Sequence, residues 1–184
     1  YSFAIMIVYL FTDSRFIFVM SILFLTCALA QQKFHFFSYS QKWMRIALVC
    51  LPIGLFLISC LCFLLYDANN EMWRALNGIL SDRLALGHAG LMKYGTSIFG
   101  QPIQWIGYSF QQVQGSYNYI DNSYVRFFLD TGILETIFYL GISSFGMWNF
   151  TQNNQLRKGL SFLFLILLGF IEPFFFNPLF NPFL

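Results

Sequence analysis

The residues of this chain that could do chemistry lie in the stretch 67–130, between two strongly apolar regions. Its ionisable side chains include Arg74, Asp82, Arg83, His88, Lys93, Asp121 and Arg126. A membrane protein that confines its ionisable groups to one long loop is expected to handle its ligand there. The alternative is that this loop only connects the elements on either side of it.

The end of this stretch places three polar residues four positions apart. Asn122, Arg126 and Asp130 therefore share one face of a helix. One interpretation puts them at the mouth of a cavity between helices, where a charged headgroup could meet them. In the other, Asp121 or Asn122 caps the helix, and Arg126 and Asp130 form a surface ion pair worth about 0.3–0.5 kcal/mol. The local sequence favours the second interpretation.

Residues 95–120 lack a helical period and combine aromatic rings with amide side chains. The rings are Trp105, Tyr108, Tyr117 and Tyr119, and the amides are Gln101, Gln104, Gln111, Gln112 and Gln114. Rings stack on the C–H faces of sugars and amides pair with hydroxyls, so this composition suits a glycan. An ordinary external loop with interfacial aromatic residues has the same composition, and composition alone favours that reading.

The overall composition indicates a membrane protein. Hydrophobic residues make up 58% of the chain and charged residues 10%, whereas a soluble domain carries about 25% charged residues. The net charge of +2 is too small to predict a nucleic-acid partner. The four cysteines lie in apolar runs without partners at zinc spacing, so we expect buried thiols and no metal site.

Five apolar segments predict an all-α polytopic membrane protein with about five transmembrane helices. They are residues 1–11 (truncated), 16–31, 46–66, 131–150 and 159–176. Because a helix needs about 20 residues to cross the hydrocarbon core, 46–66 fits best. We expect the whole chain, 1–184, to be a fragment that forms a single membrane domain.

The short loops predict the orientation of these segments. Loops 32–45 and 151–158 carry lysine and arginine and are expected to be cytoplasmic, which places the loop 67–130 outside the cell. Within that loop, the apolar spacing of residues 70–94 predicts an amphipathic helix, broken near Gly87, that lies along the outer membrane interface.

Several features of the chain resemble the Wzy-type polysaccharide polymerases, bacterial membrane glycosyltransferases related to the O-antigen ligases. They are Ser14-Arg15 in a short external turn, Ser81-Asp82-Arg83-Leu84 in the long loop, Phe99-Gly100 after the amphipathic helix, and Asp121-Asn122-Ser123-Tyr124 before the next span. The ligases carry a His, then Asn, Ser or Gln, nine residues, and Gly-x-x-Gly/Thr/Tyr. Asn122 and Gly132 fit that spacing, but Asp121 replaces the His and Glu135 the last residue, which favours a polymerase.

The resemblance implies that the chain joins oligosaccharide repeat units, carried on a polyprenyl diphosphate, into capsular or exopolysaccharide at the outer face of the bacterial plasma membrane. It implies no metal and no other cofactor. Arginine would bind the diphosphate leaving group, and a carboxylate or histidine would orient or deprotonate the acceptor hydroxyl. The implied catalytic residues are Asp121, Arg83 and His88, and the implied diphosphate or glycan ligands are Arg15, Arg74, Arg126, Asn122, Tyr124 and Trp105.

Other functions stay open at this point. A ligase would move a finished glycan to another acceptor, and a transporter or flippase subunit would carry charges along a path between its helices. The predicted spans are nearly free of charge, which argues against transport. A non-catalytic scaffold has no distinguishing sequence feature. Besides the lipid bilayer, the resemblance implies a flippase and a chain-length regulator of the same pathway as partners.

Overall fold

The described part of the chain is built from helices. The computed structural model describes residues 22–26, 29, 42–107, 118–173, 175–177 and 181–183, and residues 22–26 and 29 are helical. The longer helices are α1 (Lys42–Leu64), α2 (Glu71–Ile79), α3 (Arg83–Tyr94), α4 (Ser123–Gln152) and α5 (Leu156–Leu168). The described residues contain no strand, only an isolated antiparallel bridge between Ile106 and Asn118. The prediction of an all-α chain is confirmed for this part.

Two predicted apolar spans lie largely or wholly within helices, and a third ends early. Helix α1 contains most of 46–66, and α4 contains all of 131–150. The predicted span 159–176 differs, because α5 ends at Leu168 and the chain then turns. The carbonyl of Gly169 accepts a hydrogen bond from the Ser123 amide, which docks this turn on the start of α4. Residues 1–11 and most of 16–31 lie outside the described residues.

Helix α1 has the properties of a membrane span. Within the described ranges, it alone is a helix long and apolar enough to cross a bilayer, with a mean hydropathy of 2.7 over its most apolar window. Leu57, Leu61 and Leu64 form an exposed apolar row along it, and Ile137 and Phe138 are exposed on α4. Such rows suit contact with lipid. The topology of five spans stays a prediction.

The helices enclose two adjacent apolar clusters. Helix α1 packs along α4 and against α3, and α5 packs on α4. One cluster consists of Tyr124, Leu140, Met147, Phe162, Ile166, Phe175 and Phe176. The other consists of Phe63, Leu84, Leu91, Ile120, Val125 and Leu129. Because Tyr124 and Val125 are neighbours on α4, the first turns of that helix join the two clusters.

The predicted helix 70–94 is two helices, and the break does not lie near Gly87. It lies at Ser81 and Asp82, whose φ angles of 52° and 63° are left-handed. Gly87 is inside α3, where a Cβ would collide with the ring of Phe63. The glycine therefore serves close packing between α3 and α1 and not a bend.

The Asn77 side chain holds the break between α2 and α3. Its amide nitrogen donates to Asp82 Oδ1 at 2.8 Å, and its oxygen accepts from the Ala85 amide at 2.9 Å. This second bond caps the N-terminus of α3, where the first amides have no helical partner. Asn77 thereby fixes the position of Arg83 at the start of α3.

Helix α4 is kinked at Gly132, and a segment of the long loop crosses it there. We call residues 97–101 the strap. Gly132 has φ 84° and ψ −177°, which interrupts the helical bonding. The amides of Ile133 and Leu134 donate to the strap carbonyls of Ser97 and Ile98 at 3.0 and 3.3 Å.

The crossing also depends on a glycine of the strap. Gly100 has φ 83°, and a Cβ there would collide with the backbone of Asp130 and Thr131. The next strap residue, Gln101, donates its amide to the Asp130 carbonyl at 3.0 Å. Gly100 and Gly132, which are far apart in the sequence, therefore meet backbone to backbone.

Candidate functional site

An ion pair between Arg83 and Asp121 links two distant parts of the long loop, the start of α3 and the start of α4. Arg83 is the first residue of α3, and Asp121 immediately precedes the residue that caps α4. Arg83 Nε lies 3.2 Å from Asp121 Oδ2, and both side chains are about one-quarter exposed. Arg83 Nη1 also donates to the carbonyl of Ile171 at 2.7 Å. One guanidinium thus connects α3, the start of α4 and the turn after α5.

Asn122 holds this end of α4 in place. Its side-chain oxygen accepts from the Val125 amide at 3.0 Å, which is an N-cap bond. Its amide nitrogen donates to Ser59 Oγ on α1 at 2.9 Å and to the Phe170 carbonyl at 2.8 Å. The predicted cap is confirmed, and Asn122 fixes the neighbouring Asp121 relative to α1 and the turn after α5.

Asn122→Ala is expected to lower the free energy of unfolding by about 2–4 kcal/mol, because a cap and two buried hydrogen bonds disappear together. Asn122→Asp keeps the cap oxygen but buries a carboxylate oxygen against the Phe170 carbonyl, so it should be at least as destabilising as alanine. The measurement is the thermal midpoint of the purified protein. Asn69→Ala is the matched control, since Asn69 is exposed and uses its backbone amide in its turn. Equal midpoints for Asn122→Ala and Asn69→Ala would contradict this role.

A second ion pair follows one helical turn later. Arg126 Nε lies 3.8 Å from Asp130 Oδ2, which confirms the predicted pair but is too long for a hydrogen bond. The Trp105 indole donates to Asp130 Oδ1 at 2.8 Å. The Arg126 guanidinium carbon lies 4.6 Å from the ring centre of Tyr119 and 5.5 Å from that of Trp105. Arg126 is thus held by two aromatic rings and a carboxylate.

The carboxyl groups of Asp121 and Asp130 are both partly buried, and both lie in the field of Arg126. Burial raises the pKa of Asp121 above its ordinary value, and the charges of Arg83 and Arg126 offset part of that rise. Burial also raises the pKa of Asp130, and the Trp105 hydrogen bond and the Arg126 charge oppose it. A carboxyl group with a raised pKa beside guanidinium groups is a suitable proton acceptor.

Two cavities meet at Tyr119. The larger is an open, polar cleft of about 370 Å³, lined by Tyr119, Ser123, Arg126, Phe127, Asp130, Pro173, Phe176 and Asn177. The smaller, of about 70 Å³, is mostly apolar and has Arg83, Asp121 and Asn122 among its lining residues. The cleft has the size of a small-ligand site. Its charged groups, with those of the smaller cavity, can bind an anion beside a carboxyl group.

Three other predicted site residues, His88, Arg74 and Tyr124, do not line these cavities. His88 Nδ1 is 2.8 Å from the carbonyl of Phe63, and the ring lines neither cavity. Arg74 is exposed on α2. Tyr124 is fully buried and donates its hydroxyl to the Ile166 carbonyl at 2.8 Å, so its side chain belongs to the core. Arg15 lies outside the described residues.

Some lining residues had no local signal in the sequence. Tyr119 was one of several loop aromatics, and nothing in its neighbourhood distinguished it as the wall between two cavities. Phe176 and Asn177 come from the turn after α5, which was assigned to a membrane span or its end. Repeated prolines after Glu172 were the one sign that the chain leaves the helix there.

No group of three or more His, Cys, Asp or Glu side chains placed to hold a metal ion occurs in the ranges that the structure describes. Comparisons of this chain with family models, curated proteins and solved structures find no match.

Proposed function

We propose that this chain is part of a bacterial plasma-membrane glycosyltransferase that polymerises oligosaccharide repeat units from a polyprenyl-diphosphate carrier. One observation carries the proposal: Asp121, whose carboxyl pKa is raised by burial, lies beside Arg83 and near the Arg126 cleft. This arrangement supplies an acceptor for a hydroxyl proton and two cations for a phosphorylated leaving group. The identity of the substrates in this proposal rests on the family resemblance.

The arginines suit the leaving group. As the glycosidic bond to the carrier breaks, negative charge accumulates on the diphosphate. A guanidinium stays charged, and its planar donors match phosphate oxygens. Arg126 meets this need best, because it lines the open cleft and has no short bond to Asp130. Arg83 contributes charge, but one of its donors is already bonded to the Ile171 carbonyl.

The acceptor sugar needs a group that takes its hydroxyl proton. Asp121 is favoured over His88, because Asp121 lines a cavity and is close to both arginines, whereas His88 bonds to the backbone of α1. Tyr119 lies at the wall between the cavities and holds Arg126 against its ring. The apolar helix α1 supports a location in the membrane, where the carrier lipid resides.

The test is chain extension by the full-length protein in vesicles with a purified lipid-linked repeat unit. The wild-type protein should convert single units into longer chains on the carrier. Arg126→Ala should slow extension about 100-fold, as expected when a donor to developing negative charge is removed, and Arg126→Lys should recover part of it. Arg157→Ala, at an exposed position on α5, is the matched control.

The products distinguish the alternatives. A polymerase defect in cells leaves single repeat units on lipid at the outer face, whereas a ligase defect leaves finished polymer on lipid. A flippase defect leaves single units at the cytoplasmic face. If the wild-type protein in vesicles yields no chain longer than one repeat unit, the polymerase assignment is wrong.

A further inference from the structure

The position of Trp105 is fixed from several sides. The bridge between Ile106 and Asn118 has hydrogen bonds of 2.8 and 3.0 Å next to it. The ring of Tyr94 packs edge-on at 5.8 Å from the indole, and the Tyr94 hydroxyl accepts a bond from the Asn118 side chain. The indole therefore faces α4 with little freedom to turn away.

The indole occupies one of the two carboxylate oxygens of Asp130. Its N–H donates to Oδ1 at 2.8 Å, while Oδ2 stays 3.8 Å from Arg126 Nε. The close partner of this carboxylate is thus a neutral donor and not the guanidinium. The terminal torsion of an aspartate is broad. Without the indole, the carboxylate could turn and form a short, bidentate pair with Arg126.

The rings that cover Arg126 leave its donors usable. Tyr119 and Trp105 contact the guanidinium through their ring faces, a cation–π attraction that uses none of its N–H groups. Arg126 lines the cleft of about 370 Å³, and its side chain is 24% exposed. The guanidinium is thereby oriented without being neutralised at close range.

We infer that Trp105 is a positioning residue that keeps Arg126 available to a phosphate-type anion in the cleft. It does so by engaging Asp130 through the indole N–H and by covering the guanidinium with its ring. This task differs from the direct contact with diphosphate or glycan that the family resemblance implies for Trp105. Only the identity of the anion, a diphosphate on a lipid carrier, rests on the proposed function.

The test uses inorganic pyrophosphate as the probe, titrated calorimetrically into the full-length protein in nanodiscs of zwitterionic lipid. Trp105→Phe keeps a ring and removes the N–H, so it should weaken binding about tenfold, equivalent to ~1.4 kcal/mol. Asp130→Asn should bind at least as tightly as wild type, because its amide oxygen still accepts from the indole and its charge is gone. The double variant Trp105→Phe, Asp130→Asn should return to within about twofold of wild type.

That rescue separates positioning from a general structural role. If Trp105→Phe only loosened the loop, neutralising Asp130 would not restore binding. Trp43→Phe, at a position 82% exposed at the start of α1, is the matched control and should bind like wild type.

The inference is overturned if wild type does not bind pyrophosphate, if Arg126→Ala binds as wild type does, or if the double variant stays weak. The expected pattern in a protein that extends no glycan would support the positioning role and reject the proposed function.

Discussion

Gly132→Ala is expected to lower the thermal midpoint by about 10 °C or to prevent folding. The φ of 84° with ψ near 180° is a combination that glycine alone adopts readily, and holding another residue there costs about 1–3 kcal/mol. An added Cβ would also collide with the strap at Gly100 N and the Ile98 carbonyl. Relief of that collision requires the strap to leave α4, which exposes the amides it satisfies.

The measurement is the midpoint of thermal unfolding, with Gly141→Ala as the matched control. Gly141 is in the same helix, and a Cβ there would meet nothing within 4 Å. Alanine is the better helix former by about 1 kcal/mol, so this control should be neutral or stabilising. Gly100→Ala should resemble Gly132→Ala, and the double variant should cost little more, since either change already displaces the strap. Equal midpoints for Gly132→Ala and Gly141→Ala would show that the crossing is not formed.

Asp121→Asn is expected to slow chain extension by about 10²–10⁴-fold, the usual contribution of a general base. Asparagine has nearly the same shape and can still accept from Arg83, so the fold should be kept. What it lacks is the capacity to take a proton. The measurement is the initial rate of repeat-unit addition at matched protein levels, with Asp67→Asn as the control at an exposed carboxylate of the same loop. An Asp121→Asn rate above one-tenth of wild type would exclude Asp121 as the base.

The pH dependence of chain extension gives a second test of Asp121. Extension should rise with pH as Asp121 loses its proton, and burial, which raises the pKa of Asp121, shifts that rise to higher pH than for an exposed aspartate. Arg83 lowers the pKa of Asp121, so Arg83→Gln should move the rise to still higher pH and reduce the rate most on the acid side. An unchanged pH profile in Arg83→Gln would show that Asp121 does not titrate in the rate-limiting step.

The local parts of the site could be predicted from the sequence. The Asn122 cap and the Arg126–Asp130 pair follow from positions within one or two helical turns, and both are present. The break between α2 and α3 was misplaced, because a glycine inside a helix can mean either a bend or close packing. Gly87 packs on Phe63, while the bend uses left-handed Ser81 and Asp82.

The tertiary parts of the site could not be predicted in this way. The Arg83–Asp121 pair depends on how α3 docks beside the start of α4, and no local spacing encodes that contact. The task of Trp105 depends on the bridge between Ile106 and Asn118, which brings its indole to Asp130. Composition left these aromatic rings open to a glycan surface and favoured an ordinary interfacial loop, whereas in the fold the Trp105 ring packs on an arginine and its indole N–H bonds to a carboxylate.

The strap has a consequence for the order in which parts of the protein fold. Residues 97–101 leave the ribosome before the second half of α4, whose amides at Ile133 and Leu134 take their partners from Ser97 and Ile98. An unpaired amide in an apolar environment costs several kcal/mol. The second half of α4 therefore reaches its final bonding only after the preceding loop has docked on it. The long loop is part of the pathway by which its own following helix matures, and a chain without it would carry an unfinished helix.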